Sequence, residues 1–351
     1  WQCKDTLNHI LIGLAETKTD PEQKARLLEE SIEMGTEVLR SGEKYLPLRP
    51  DINGYWHGPL GHAKLELAKL AKDRALKEQL IKDGIRHEET AVELASGHRS
   101  AWAESDPGSV EVEAYFRHRL EGGLRDLFEL TGQTQYLEKA IEALETTAKK
   151  YQKASMSSRM AECHWKIALY QDTLGRFQAA ARNFRSAADD FRSAAGKLPN
   201  LKALYDDHSK YMSAWENIEE AKYQHSRQKY AQAKESYERA ASLHESTRRW
   251  SFLAANYSAL ARVEDAEDLS QKEQGRESIA AFEEASALFG GSETLMRERL
   301  AVIDSPDEKQ MVEMLMEAID YRQRLCSARI TLEEARALDK EGVLDDAAEK
   351  Y

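Results

Sequence analysis

Three stretches of the chain repeat one pattern: AARNFRSA at 180–187, AKESYERA at 233–240 and SIAAFEEA at 278–285. Each begins with a small residue, has an aromatic residue four positions later and ends with alanine three positions after that. A fourth copy starts at Ala347 and reaches Tyr351. Small and large side chains at three- and four-residue steps lie on one helix face and pack closely against a neighbour. Several such helices in series predict a stack of helical hairpins.

The bulk composition limits the class of protein. Of the 351 residues, 32% are charged and the formal net charge is −12, so an acidic surface makes nucleic acid an unlikely partner. No apolar run is long enough for a transmembrane helix, and residues 1–20 lack the features of a signal peptide. Three scattered cysteines form neither a disulfide framework nor a metal-binding spacing, which favours a reducing compartment and predicts a cytoplasmic protein.

Helical periodicity without strand-like alternation predicts an all-α chain of paired helices with irregular lengths. We expect its prolines at helix starts or in connections, as in Ser305-Pro306-Asp307-Glu308. The longest predicted loop is 42–58, with a helix starting at Pro59, and a second linker runs from Gly97 to Gly108. Gly290-Gly291-Ser292 is predicted to end one helix before a short one at 293–303. The pair Gly122-Gly123 indicates either a kink or a close helix crossing.

The pattern resembles the tetratricopeptide repeat, a helix–turn–helix unit. The best match is 161–194, where Gly175 lies in the turn and the 180–187 copy follows; 214–246 and 328–351 match next. The resemblance is clearest over 160–351. The spacing between units exceeds the family's 34 residues, and the family's early tryptophan and closing proline are missing. We therefore divide the chain into divergent N-terminal hairpins, 1–108, and a repeat region, 109–351.

The resemblance implies a right-handed α-α superhelix whose concave groove binds a protein or peptide, without catalytic residues, metal or cofactor. An acidic partner is expected for three cations of the last repeat, Arg329, Arg336 and Lys340. For the tryptophans of the predicted groove, packing in the core is the alternative interpretation. The eight groove candidates are Trp165, Asp172, Trp215, Lys222, His225, Arg329, Arg336 and Lys340.

Chemistry outside the groove has weaker support. His57 and His62 are too few ligands for a metal site, and adjacent helical residues such as Cys163 and His164 do not face each other. Arginines and phenylalanines alternate around 182–192, as in a nucleic-acid stripe, but the phenylalanines occupy packing positions. We expect none of these to be a functional site.

A second functional hypothesis comes from the ends of the chain. It starts at Trp1 without an initiator methionine and ends at Tyr351 inside a predicted helix, which indicates a piece of a longer protein. The chain could then be the sensor or regulatory arm of a signalling protein, such as a nucleotide-driven switch ATPase with its catalytic domain elsewhere. The sequence leaves the oligomeric state and the identity of the partner open.

Overall fold

A computed structural model of the chain describes residues 2–45, 50–97 and 107–351. Every regular element in these ranges is helical, which confirms the predicted all-α class. The chain divides into two compact units, residues 1–170 and 171–351. The division predicted at residue 108 concerns the type of repeat and stays a prediction. No helix among the described residues is both long and apolar enough to cross a bilayer.

The first unit contains α1 to α6 and most of α7, in which helices that follow each other in sequence pack as neighbours. One part of its core joins α1, α2 and α3 through Ile12, Leu28 and Ala63, all buried. The helices are α1 Gln2–Glu16, α2 Pro21–Tyr45, α3 Pro50–Leu70, α4 Arg74–Gly97, α5 Pro107–Thr131, α6 Gln135–Lys153 and α7 Ser157–Thr173.

The second unit contains the end of α7 and the remaining helices, again packed in chain order. Two short 3₁₀ turns, Pro199–Leu201 and Ser251–Leu253, precede α9 and α11. The helices are α8 Phe177–Lys197, α9 Lys202–Ser226, α10 Tyr230–Glu245, α11 Ala254–Gln271, α12 Gly275–Leu300, α13 Pro306–Lys340 and α14 Leu344–Lys350.

The repeated pattern forms part of the core of the second unit. In its first three copies the small residue and the final alanine are 0% exposed, and the aromatic residues Phe184, Tyr237 and Phe282 are at most 6% exposed. Ser278 is accommodated at this buried position because its hydroxyl donates to the Ala266 carbonyl, 2.9 Å away. The fourth copy differs, since Ala347 is buried but Tyr351 is 65% exposed.

The turns inside the hairpins share one backbone geometry. The residue at the turn has a positive φ: Gly175 (70°), Gln228 (56°), Glu273 (60°) and Gly342 (79°). In each turn its N–H donates to the carbonyl three residues back, and the next N–H donates to the carbonyl five residues before it. This is the Schellman motif, which satisfies the last carbonyls of a helix.

The turns also share one register. The residue with positive φ lies seven positions after a fully buried alanine and five positions before the small residue that starts the pattern. The alanines are Ala168, Ala221, Ala266 and Ala335. Only the distance from one hairpin to the next varies, so the irregular spacing comes from the lengths of the helices outside the turns.

Three predicted boundaries are wrong. The predicted loop 42–58 is mostly helical, because α2 reaches Tyr45 and α3 starts at Pro50; residues 46–49 lie outside the described ranges. Pro59 lies inside α3, where the burial of neighbouring Trp56 and Leu60 stabilises the helix despite the missing N–H.

The linker predicted from Gly97 to Gly108 falls mainly on residues 98–106, which are also outside the described ranges.

The third wrong boundary is the helix stop at Gly290-Gly291-Ser292. Helix α12 continues through these residues to Leu300, so the short helix predicted at 293–303 is its last part. Phe289, Ser292 and Met296 are all 0% exposed, and this continuous buried face offsets the low helix propensity of the two glycines.

Helix α5 runs unbroken through Gly122-Gly123, which favours the close crossing over the kink. A Cβ atom added to Gly123 would approach Leu65 Cδ2 to 2.9 Å and Ile85 Cγ1 to 3.0 Å. A second crossing joins α3 and α4, where a Cβ on Gly61 would meet the Gly84 carbonyl oxygen at 3.0 Å. Glycine is needed at these positions because the helices leave no room for a side chain.

Candidate functional site

The first helices of successive hairpins in the second unit are joined by a series of polar contacts. These helices are α9, α11 and α13, together with the last residues of α7. Six of the eight sequence candidates take part in this series, and Trp215 lies on α9 as well; the six are Asp172, Lys222, His225, Arg329, Arg336 and Lys340. The eighth, Trp165, lies on α7 in the first unit and is half-buried.

The series begins at Lys222 on α9. Its ammonium group lies 2.8 Å from Asp172 Oδ1 and 2.7 Å from Glu219 Oε1. Glu219 is 0% exposed, and burial raises the pKa of its carboxyl group to about 7, an effect that the nearby Lys222 reduces. The lysine therefore bridges two acidic groups instead of projecting into solvent.

Trp215 belongs mainly to the core. Its ring stacks on Phe184 with a centroid distance of 5.7 Å and meets Tyr257 edge-on at 6.4 Å. The packing alternative for this tryptophan fits its environment better than a role in the groove.

His225 connects α9 to α11. Its Nδ1 atom lies 2.9 Å from Glu264 Oε1, and this hydrogen bond raises the pKa of the imidazole above its ordinary value. Glu264 is 3% exposed. The raised pKa favours the protonated imidazole, so the contact stabilises the fold below pH 6.5 and weakens as the pH rises through the folded-state pKa.

Arg329 and Arg336 connect α13 to α11. Arg329 forms an ion pair with Glu267, and its guanidinium carbon lies 5.6 Å from the centre of the buried Phe282 ring. Arg336 Nη1 lies 2.6 Å from Glu333 Oε1 and 3.2 Å from Ser270 Oγ. The Ser270 hydroxyl also donates to Glu333, at 2.7 Å.

A cleft of about 720 Å³ opens beside these arginines. The turns after α9 and α11 contribute Gln228 and Glu273, and the starts of α10 and α12 contribute Tyr230 and Arg276. The end of α11 and the end of α13 form the two longer walls. Lys340 lies 2.9 Å from Glu273 across the cleft. The structure thus brings together the three cations that the last repeat contributed to the prediction.

The charges of the cleft nearly cancel. Its lining has four cations, Arg276, Arg329, Arg336 and Lys340, and five carboxylates, Glu267, Glu273, Glu333, Asp339 and Glu341. Three of the cations are paired with these carboxylates. The lining is thus a surface of mixed charge, and the acidic partner expected for these cations stays a prediction.

The sequence analysis missed the acidic half of these contacts. Glu219, Glu264 and Glu333 are all nearly fully buried, and each lies two residues before the fully buried alanine of its helix. That common register was visible in the sequence once the alanines were aligned. Buried carboxylates need partners, so the register also predicts basic side chains nearby.

The weaker candidates of the sequence lie in environments that do not favour the chemistry considered for them. No group of three or more possible metal-ligating side chains occurs in the described ranges. Cys163 is 0% exposed and burial raises the pKa of its thiol to about 12, so it is a poor nucleophile. Phe184 and Phe191 are at most 3% exposed and offer no stacking surface to a nucleic acid.

Comparison of the chain with models of known protein families finds no match, and comparison with curated proteins finds no significantly similar sequence.

Proposed function

We propose that the chain is a non-enzymatic scaffold of the tetratricopeptide-repeat type that binds a protein or peptide. The common register of the four hairpin turns in the second unit supports this assignment, because each turn places two small residues at the same positions of its helix pair. In such repeats the hairpins supply a surface for partners rather than an enclosed catalytic site.

The observation that carries the proposal is the cleft on α13. It is large enough for several side chains of a bound segment, and Tyr230, a half-buried aromatic residue, lies in its wall beside Arg329 and Arg336. Aromatic and arginine side chains contribute most of the binding energy in many protein interfaces. The near-cancelling charges favour a peptide that carries both acidic and basic residues.

The test selects binders to the whole chain from a random peptide library and measures their affinity by fluorescence anisotropy. The double variant Arg336→Ala, Lys340→Ala removes two cleft cations. We expect it to weaken the selected peptides by about tenfold or more, which corresponds to about 1.4 kcal/mol.

A matched control is the double variant Lys309→Ala, Arg324→Ala, which removes the same two residue types from exposed positions of α13 outside the cleft. It should leave the affinity unchanged. Equal losses in the two double variants, or a library that yields no peptide sensitive to the cleft variant, would contradict the proposal.

We also place the protein in the cytoplasm as part of this proposal. Cys163 and Cys326 are both buried free thiols. Thiols in that state are typical of proteins in reducing compartments.

A further inference from the structure

The first unit contains a cavity of about 560 Å³ formed by α1, α3 and α5. Its inner wall is mostly apolar, with Ile12, Pro59 and Phe116 buried and Val112 half-buried. His9, Gly13, Glu16 and Tyr115 are exposed and form its mouth. Small-molecule sites commonly have this form, a concave apolar wall with few polar groups.

One cation, Arg119, lies in this inner wall. Its side chain is only 15% exposed, and burial lowers the pKa of its guanidinium group. It donates a hydrogen bond to the hydroxyl of Tyr115, and its Nη1 atom lies 3.4 Å from the Gly58 carbonyl oxygen. An arginine remains charged even when buried, so this charge requires compensation.

The nearest carboxylate compensates it poorly. Glu88 Oε1 is 4.0 Å from Arg119 Nη1, beyond hydrogen-bond range, and neither carboxylate oxygen of Glu88 has a hydrogen-bond partner among the described residues. Glu88 is 0% exposed, and burial raises the pKa of its carboxyl group well above the ordinary value. The protonated form that this favours has no charge to offer Arg119.

The two carboxylates that line the cavity are bound elsewhere. Glu16 Oε1 is 3.0 Å from His62 Nε2, and Glu111 Oε1 is 3.4 Å from Arg159 Nε. Both side chains are also substantially exposed, at 56% and 39%, so water screens their charges. Arg119 lies deeper, where an ion pair with a ligand would be stronger.

We propose that this cavity binds a small amphipathic monocarboxylate, with its carboxylate on Arg119 and its hydrocarbon part against Ile12, Val112 and Phe116. A guanidinium group matches a carboxylate through paired hydrogen bonds. A dianion such as a phosphate ester fits less well, because among the described lining residues Arg119 is the only arginine or lysine and two carboxylates, Glu16 and Glu111, also line the cavity. The site lies in the first unit and is independent of the peptide cleft.

The first experiment titrates the whole chain with three probes by isothermal calorimetry. Octanoate has both the charge and the apolar chain, octanamide has the chain without the charge, and acetate has the charge without the chain. We expect saturable one-to-one binding of octanoate, at least tenfold weaker binding of octanamide, and no measurable binding of acetate. Equal affinity for octanamide, or the absence of saturable octanoate binding at millimolar concentration, would overturn the proposal.

The second experiment fills the mouth of the cavity. A Cβ added to Gly13 meets no described atom within 4 Å, so Gly13→Leu can start its side chain at the cavity mouth without backbone strain from that atom. The matched control is Gly122→Leu, whose added Cβ likewise has no neighbour within 4 Å in the described part of the chain and which does not line the cavity.

We expect Gly13→Leu to abolish octanoate binding and Gly122→Leu to keep it, with both proteins at least as thermally stable as the parent, because leucine is the better helix former. Unchanged octanoate affinity in Gly13→Leu would rule out this cavity. The variant Arg119→Gln should reverse the preference between octanoate and octanamide, and a retained preference for octanoate would exclude Arg119 as the ligand's counter-ion.

Discussion

At the scale of single residues, four basic side chains that the sequence placed in the predicted groove are each paired with an acidic group of the second unit. Lys222, His225, Arg329 and Arg336 each contact a carboxylate of the same unit. The periodicity of a helix shows which side chains share a face, but it does not show which residues of the next helix lie opposite. The pairs between helices could therefore be identified only after the helices were packed, whereas Arg336 and Glu333, three residues apart on α13, are neighbours through local helix spacing alone.

His244 is a second residue whose environment the sequence did not reveal. It is 0% exposed, its ring stacks on Tyr257 with a centroid distance of 5.1 Å, and neither ring nitrogen has a hydrogen-bond partner among the described residues. Burial lowers the pKa of the imidazole to about 3. Below pH 6.5 the unfolded chain therefore binds a proton that the folded chain does not. The free energy of unfolding then decreases as the pH is lowered, until the pH reaches the folded-state pKa.

We predict that His244→Phe stabilises the second unit by about 1 kcal/mol or more at pH 7.5, because it replaces two unsatisfied buried polar atoms with an aromatic ring of similar shape. The gain should be larger at pH 5, where the parent loses stability. Urea unfolding at the two pH values measures both effects. His208→Phe is the control, because His208 Nδ1 already lies 2.8 Å from the Leu204 carbonyl oxygen. A His244→Phe protein that is less stable than the parent at both pH values would contradict the prediction.

At the scale of elements, the hairpin turns show which local signals suffice. Glycine occupies the left-handed position of the turns at Gly175 and Gly342, whereas Gln228 and Glu273 occupy the same position in the other two. A side chain other than glycine costs about 1 kcal/mol in this conformation. The two glycine turns are readable from the sequence, while the other two are imposed by the packing of the helices on either side.

We predict that Gln228→Gly raises the stability of the second unit by about 0.5 to 1 kcal/mol, because it removes the strain at φ 56°. Gly175→Ala should lower it by about 1 kcal/mol for the opposite reason. Chemical denaturation of the two variants measures the difference. A destabilised Gln228→Gly protein would show that the side chain of Gln228 contributes more than its backbone strain costs.

The close crossing of α3 and α4 in the first unit leads to a separate prediction. A Cβ on Gly84 would approach Leu65 Cγ to 2.7 Å and the Gly61 carbonyl oxygen to 3.1 Å, so Gly84→Ala forces α3 and α4 apart. We expect a loss of about 1 to 3 kcal/mol, the usual cost of overpacking.

The control for this crossing is Gly122→Ala, where the added methyl group meets no described atom within 4 Å. It should gain up to about 1 kcal/mol from helix propensity alone. Thermal melting of the two alanine variants compares them directly, and similar melting temperatures would show that the crossing tolerates a wider spacing.

At the scale of the whole molecule, each unit is stabilised mainly by contacts between helices that follow each other in the chain. Such packing makes the stability of one hairpin depend on its immediate neighbours. A local defect should therefore open the structure locally before it unfolds the unit.

We predict that Phe184→Ala costs about 3 to 5 kcal/mol, because Phe184 is 0% exposed in the contact of α8 with α9. Native-state hydrogen exchange should show the largest loss of protection in α8 and α9 and the smallest in α13. A uniform loss across 171–351 would mean that the second unit unfolds as one cooperative body.

Much of the architecture was accessible from the amino-acid order. The all-α class, the core positions of the 180–187 pattern and its copies, and two glycine turns all follow from residues close in sequence, where helical periodicity and backbone preference act. The stop predicted at Gly290 and the start predicted at Pro59 failed for the same reason: a continuous buried face outweighed the local preference of glycine and proline.

The functional features depend on residues distant in sequence. The cavity beside Arg119 is formed partly by residues of α1 and α3 that lie more than fifty positions away in the sequence. Arg329 on α13 pairs with Glu267 on α11. Burial then changes the chemistry of these groups, as the raised pKa of Glu88 shows, because the low dielectric of the interior penalises charge. Local order in the sequence determines where helices form, but only the packing of those helices determines which charges are buried, which are paired and where a cavity remains.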